Sequence, residues 1–350
     1  NKGITYTERA FVAPYDDDGS APARLNRRSV CVIEILVSNP GSEADDAVMS
    51  LEFLADKTNR KAAQLTRTGR GYLMEDRGRP LALLDTQACG NLDVQAGDGS
   101  VRIAGSLAPG GVAKLVMYIP GVSVAPSEVE SLTGADALRA RVEAYWDAVM
   151  ASAARIETPD EFLNNIILSA QVRCLIDSRN EDNGARIVPW IAAMEYGPLE
   201  SEANSIIRGM DFLGHSEFAR KCHDFFISKY NPEGYLTTGY TMFGTAWHLW
   251  TVGEHYQLTS DSDWMKRVAP EVTRVCNWAV RQTQKTKGLD AYGHKMPEYG
   301  LMPPGVLADW RSFAYHFCMN AYYYAGLAAV GKALEDISDP NGGLFRERAA

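Results

Sequence analysis

No stretch of this 350-residue sequence approaches the roughly 20 consecutive apolar residues that a membrane-spanning helix needs. Runs of Lys or Arg are absent too, and 35 basic against 44 acidic side chains leave a formal net charge of −9. A sequence-blind electrostatic grip on nucleic acid or anionic lipid is therefore not expected. Cysteine is sparse and scattered: Cys31, Cys89, Cys174, Cys222, Cys276 and Cys318 form no Cys-x-x-Cys and no tight group with histidine. Neither a zinc site nor a disulfide framework follows. Buried free thiols are expected, since free Cys packs as a small hydrophobe. His248 and His255 stand i, i+7, two turns apart, whereas joint metal ligation from one helix uses i, i+4. No metal and no cofactor are expected. The chain opens at Asn1 without a signal peptide, so a processed or cut start is expected and the compartment stays open.

What is present is ordinary in bulk, with 46% hydrophobic and 23% charged residues, and long enough for two domains. The two halves differ in period. Up to residue 125 the pattern reads as short strands. Residues 29–37 form a β-branched run closed by Asn39-Pro40-Gly41, Leu51 and Phe53 flank Glu52, and residues 101–103 and 113–119 are separated by Pro109-Gly110-Gly111. Such spacing argues for an antiparallel sandwich.

After a hinge at Pro120 to Pro126 the period becomes helical. Thr158-Pro159-Asp160-Glu161 reads as a capping box with Pro at the first helical position. Phe162, Leu163, Ile166, Ile167, Ala170 and Cys174 then form one apolar stripe. Further helices are expected from Ala203 to a Gly214 cap, from Ser216, over 241–257, over 261–284 with a break or restart at Pro270, and from Arg311 to about Leu334. Turns within a pair are very short, whereas 179–199, 231–240 and 286–310 are long, Gly-rich and aromatic. Hairpins with short turns on one rim and long loops on the other put function on the long-loop rim.

Those loops carry carboxylates among aromatics. Glu200 and Glu202 follow Trp190 and Tyr196, and Tyr240 leads toward His248. His294, Glu298, Asp309, Trp310 and Arg311 fall in or just after the third loop. Aromatic faces stack on pyranose rings, and carboxylates bind hydroxyls or perform acid–base work. Three of these acids also have a plainer reading: Glu200 and Glu202 suit a helix N-terminus, and Asp309 suits an N-cap, whereas Glu298 has none so ready. Trp247 and Trp250 read as core rather than ligand platforms, with the platform as the alternative, and Tyr322 to Tyr324 read as packing.

The helical half resembles the six-hairpin glycosidases, the glucoamylase-like and trehalase-like enzymes. The resemblance rests on Tyr145-Trp146 with Thr158-Pro159-Asp160, on Tyr196-Gly197 through His215, on Gly239-Tyr240 through Asp261, and on Gly300 to Gly305 through Asn320 and Gly326-Leu327. It implies an α+β multidomain chain: a β-sandwich over 1–125, then an (α/α)6 toroid over 126–350. About seven helices are read where a complete toroid has twelve, so a partial ring, or one completed by another copy or a partner chain, is expected. The implied activity is an inverting glycoside hydrolase acting on an oligo- or polysaccharide, whose two carboxyl groups stand roughly 6.5–9.5 Å apart and need no metal. Candidate catalytic residues are Glu298, Glu200, Glu202 and Asp309. Candidate substrate-binding residues are Trp190, Tyr196, Tyr240, His248, His294, Trp310 and Arg311. Arg311 could pair bidentately with an acidic sugar. A polysaccharide lyase, with His294 or Tyr299 beside Arg311, and a non-catalytic carbohydrate-binding protein are the alternatives.

Overall fold

A computed structural model describes residues 3–14, 28–132, 134–192, 196–238, 243–309 and 311–349. Contacts divide the chain into two compact units, one running to Ala151 and the other from Ser152 onward.

The first unit is built on antiparallel strands: β1 (Thr5–Pro14), β2 (Ser29–Ser38), β3 (Asp45–Glu52), β4 (Leu54–Asp56), β5 (Lys61–Ala62), β6 (Gln64–Arg67), β7 (Gly71–Asp76), β8 (Arg79–Asp85), β9 (Asp93–Ala96), β10 (Ser100–Leu107) and β11 (Val112–Pro120). They make a six-stranded sheet ordered β1-β2-β11-β8-β7-β6, a three-stranded sheet ordered β3-β10-β9 and a β4–β5 ribbon. Two helices follow, α1 (Pro126–Glu130) and α2 (Ala135–Met150). Between its terminal serines β2 is apolar except for Glu34, because most of both its faces is covered. Ile33, Ile35 and Val37 share a core with Val101, Ile103 and Leu107 of β10. Val30 and Val32, on the opposite face, meet Val129, Ala135 and Leu138 of the two helices. The helical period after Pro126 thus begins while the chain still packs on the sheet. The division between units accordingly lies at 151–152, where the sequence places it at 125–126.

The second unit contains α3 (Glu161–Ile176), β12 (Ser178–Glu181), β13 (Arg186–Pro189), α4 (Glu200–Phe212), α5 (Ser216–Ile227), α6 (Gly244–Thr259), α7 (Ser262–Gln284), β14 (Gly305–Val306), β15 (Phe313–Ala314), α8 (Phe317–Asp336) and α9 (Gly342–Ala349). Three details differ from the sequence reading. The α3 N-cap is Asp160, which accepts from the amides of Phe162 and Leu163, while the Thr158 hydroxyl turns to Asn164. A carboxylate one residue from the first turn outcompetes the hydroxyl for those donors. α7 runs unbroken through Pro270, because Met265, Val268, Val272, Val275 and Cys276 are buried along its length. That burial outweighs the roughly 3 kcal/mol a mid-helix proline costs. α8 begins at Phe317 rather than Arg311, since Phe313 and Ala314 pair with Val306 and Gly305 instead.

Helices α4, α6 and α8 run side by side in the same direction. Asn204 of α4 accepts from the Thr251 hydroxyl of α6 at 3.1 Å, and one α4 turn later Arg208 meets Glu254 at 2.6 Å. On the other flank Gly326 of α8 touches Ala246 and Leu249, and Gly253 of α6 touches Ala329 and Val330. A Cβ at Gly253 would stand 2.6 Å from the Ala329 carbonyl carbon, so this approach of two backbones requires glycine. Gly214 closes α4 with φ +87, the left-handed stop expected there.

Candidate active site

Parallel packing brings the N-termini of α4, α6 and α8, and hence the long connections that precede them, to one end of the second unit. Each connection is pinned at its neck. Isolated bridges join Ile191 to Gly197, Tyr230 to Leu236, and Leu289 to Lys295. The third connection is tied to α8 as well: Met302 donates to the Asn320 side chain at 2.8 Å, and His316 contacts the Gly305 carbonyl at 3.1 Å.

Glu200 occupies the first position of α4 and is 2% exposed. Its side chain lies against the first residue of α6, so closely that a Cβ at Gly244 would stand 2.5 Å from a carboxylate oxygen. One acid therefore sits at the start of two helices, where unpaired backbone amides and the helix dipoles favour negative charge. The neighbouring Glu202 is exposed and accepts from the Ser201 hydroxyl. Glu298 is half-buried in the third connection, and Asp309 is exposed, seven residues before the His316 N-cap of α8. Its plainer reading as the cap of that helix is thereby removed.

The proposed binding residues are spread more widely. Trp190 is half-buried, with the Arg179 guanidinium 3.7 Å above its ring and the indole edge against Gly197. Together with Cys174, Ile176 and Ile206 it lines a cavity of about 560 Å³. Tyr196 is exposed; so is His294, whose ring approaches Asp290 at 3.2 Å. The Asp290 carboxyl is held below its ordinary range, chiefly by the His294 backbone amide. Arg311 is exposed. Tyr240 and Trp310 lie outside the described residues.

His248 corrects the sequence reading, for it is 0% exposed and faces the interior rather than a cleft. It belongs to a buried polar row that periodicity did not reveal. Tyr230 Oη lies 2.6 Å from His248 Nδ1, His248 Nε2 lies 3.3 Å from His223 Nδ1, His223 packs on His255, and His255 Nδ1 meets Asp211 at 2.8 Å. The row threads between α4, α5 and α6. Burial pushes His248 down to about 3 and His223 well below its ordinary value, with the neighbouring histidines adding to the effect at His223. These rings are neutral at pH 7. The signal in the sequence was faint: His223 interrupts the apolar run of Cys222, Phe225 and Phe226, and His248 and His255 share a face.

Trp247, Trp250 and Tyr322, whose spacing favours core packing over a ligand platform, belong to a second group. Phe243, Trp247, Trp250 and Glu254 lie along one face of α6, each half-buried. Tyr322 of α8 stacks on Phe243 (5.2 Å, 16°) and on Trp247 (4.9 Å, 24°). Arg208 of α4 lies over Trp250 and Phe212, at 4.8 and 4.9 Å, while it holds Glu254 in a two-point ion pair.

No family profile and no curated protein matches the chain. Solved structures do. A bacterial glucoamylase complexed with acarbose aligns over 98% of this chain and 60% of its own length, at 8% identity and a TM-score of 0.46. A rhamnosidase from Klebsiella oxytoca with rhamnose bound aligns over 99% and 69%, at 10% identity and 0.41. The family GH92 alpha-mannosidase from Bacteroides thetaiotaomicron aligns over 97% and 58%, at 9% identity and 0.28. The chain spans about 60% of the glucoamylase's length, and similarity at this level says nothing of individual residues.

Proposed function

We propose that the second unit is the sugar-processing part of a glycosidase, with α4, α6 and α8 as inner helices of an (α/α)6-type toroid and α5, α7 and α9 as the outer layer. In the same reading the two facing sheets of the first unit form a β-sandwich. The observation that carries the functional proposal is the shielded Glu200 at the meeting point of two helix N-termini, on the rim where three long connections gather. A carboxylate held there is pre-positioned, and water is kept from it, which strengthens its interaction with the positive charge that develops on an attacking water or at the anomeric carbon.

In the inverting scheme one carboxylic acid protonates the glycosidic oxygen and a second carboxylate activates water from the opposite face of the ring. Glu200 takes one role. Glu298, half-buried on a connection stiffened by Pro297, Pro303 and Pro304, takes the other. Glu202 and Asp309 are exposed and fit the mouth of the site rather than its centre, where they would contact hydroxyl groups. Trp190, Tyr196, His294 and Arg311 would flank that mouth.

The test is turnover of an oligosaccharide panel by wild type, Glu200→Gln and Glu298→Gln. Each substitution should lower kcat by two to four orders of magnitude, with KM little changed, as expected for loss of a general acid or base. Retention of most activity by Glu200→Gln rejects its assignment. Binding without turnover by wild type would make this a carbohydrate-binding protein instead.

A further inference from the structure

We propose that the face shared by α4, α6 and α8 is a stacking platform for an uncharged pyranose ring, so that the substrate class is neutral sugars rather than uronic acids. This deepens the glycosidase reading above and rests on it.

Three rings make the platform. Phe243 and Trp247, one turn apart on α6, both stack on Tyr322 of α8 within 5.2 Å and 24° of parallel. None of the three is fully buried. The axial C–H bonds of a pyranose present an apolar face that such rings accept, and stiff aromatics lose little freedom on doing so. Phe243 directly precedes Gly244, the residue against which Glu200 lies, so the platform begins at the proposed catalytic acid.

Electrostatics decide the class of ring. The cation beside the platform, Arg208, is fixed between Trp250 and Phe212 and held by both oxygens of Glu254. Its charge is already balanced, and its five donors are partly committed. A uronate would have to displace Glu254 or bring an uncompensated carboxylate beside it. The overall charge of −9 works in the same direction. A neutral ring meets neither penalty.

The test uses calorimetric titration of the full chain with maltotriose, mannotriose and methyl rhamnoside as neutral probes and trigalacturonate as the charged one. At least one neutral probe should bind, and trigalacturonate should bind at least tenfold more weakly. Trp247→Ala and Tyr322→Ala should each weaken neutral binding at least tenfold, while Tyr322→Phe, which keeps the ring, should restore it. Glu254→Gln frees Arg208 and should narrow or reverse the discrimination against trigalacturonate. Thermal melting separates loss of binding from loss of fold. The platform is overturned if Trp247→Ala and Tyr322→Ala bind like wild type, if trigalacturonate binds as well as the neutral probes, or if none of the neutral probes binds. Turnover measured in parallel distinguishes the two ideas: unchanged Kd in the ring variants with active wild type sinks only the platform. Ring-dependent binding with inactive wild type sinks only the enzyme.

Discussion

Helices α3 and α6 are both 16 residues long and both rich in apolar side chains, yet they meet opposite fates. α6 buries ten residues, among them Leu249, Val252 and His255, between α4 on one side and α8 on the other. α3 buries only Gln171, whose side-chain oxygen lies 3.0 Å from the ring of His215. Its stripe of Phe162, Leu163 and Ile166 stays exposed, with Phe162 at 73%. Apolar periodicity therefore states what a helix is able to bury; which faces are buried depends on the neighbours the fold supplies. The same contrast separates polar groups: histidines on α5 and α6 are sealed in, whereas His294 on a connection is bathed in solvent.

That contrast can be broken by substitution. The largest effect belongs to α6, where Leu249→Ala should destabilise the second unit by about 2–5 kcal/mol, since Leu249 is fully buried against α8. Denaturant unfolding would read it, and a change below about 1 kcal/mol would mean that the α6–α8 contact is looser than described.

The next effect is one of pH. His223 and His248 have folded-state values below the ordinary 6.5, so the unfolded chain binds protons that the folded chain refuses. Their contribution is complete above about pH 6.5 and falls as pH drops, by about 1.4 kcal/mol per pH unit for each sealed ring. Melting curves from pH 8 to 5 should show a steep loss that His248→Gln makes shallower. An unchanged slope in that variant would place His248 in contact with water.

The smallest effect belongs to α3. Ile166→Ser should change stability by no more than about 0.5 kcal/mol, as for other exposed positions, and should improve solubility. A loss comparable to that of Leu249→Ala would show that something covers α3 in solution.

Much of this architecture is legible in the sequence because it rests on local rules. Period-two runs and Gly/Pro punctuation mark β2, β10 and β11, and the helix stops at Gly214 and the short turn at Ser260 follow from backbone chemistry alone. Glu200 was readable as a candidate from its position after Tyr196-Gly197. What could not be read were contacts between segments distant in the chain. Arg208 and Glu254 are 46 positions apart, Asp211 and His255 are 44, and nothing in either neighbourhood announces the partner. The same limit made Trp247 look like core, for only the arrival of Tyr322 defines the platform. His248 misleads for the converse reason: its position near a helix start suggests access, whereas Tyr230 and His223 enclose it.

The central claim is that the N-terminal ends of α4, α6 and α8 form one sugar site. A crystal soaked with a neutral monosaccharide mixture tests it most directly. The account predicts ring density over Trp247 and Tyr322 with a hydroxyl within hydrogen-bond reach of Glu200. Density bound only elsewhere, such as in the cavity beside Arg267 and Arg274 of α7, would contradict it.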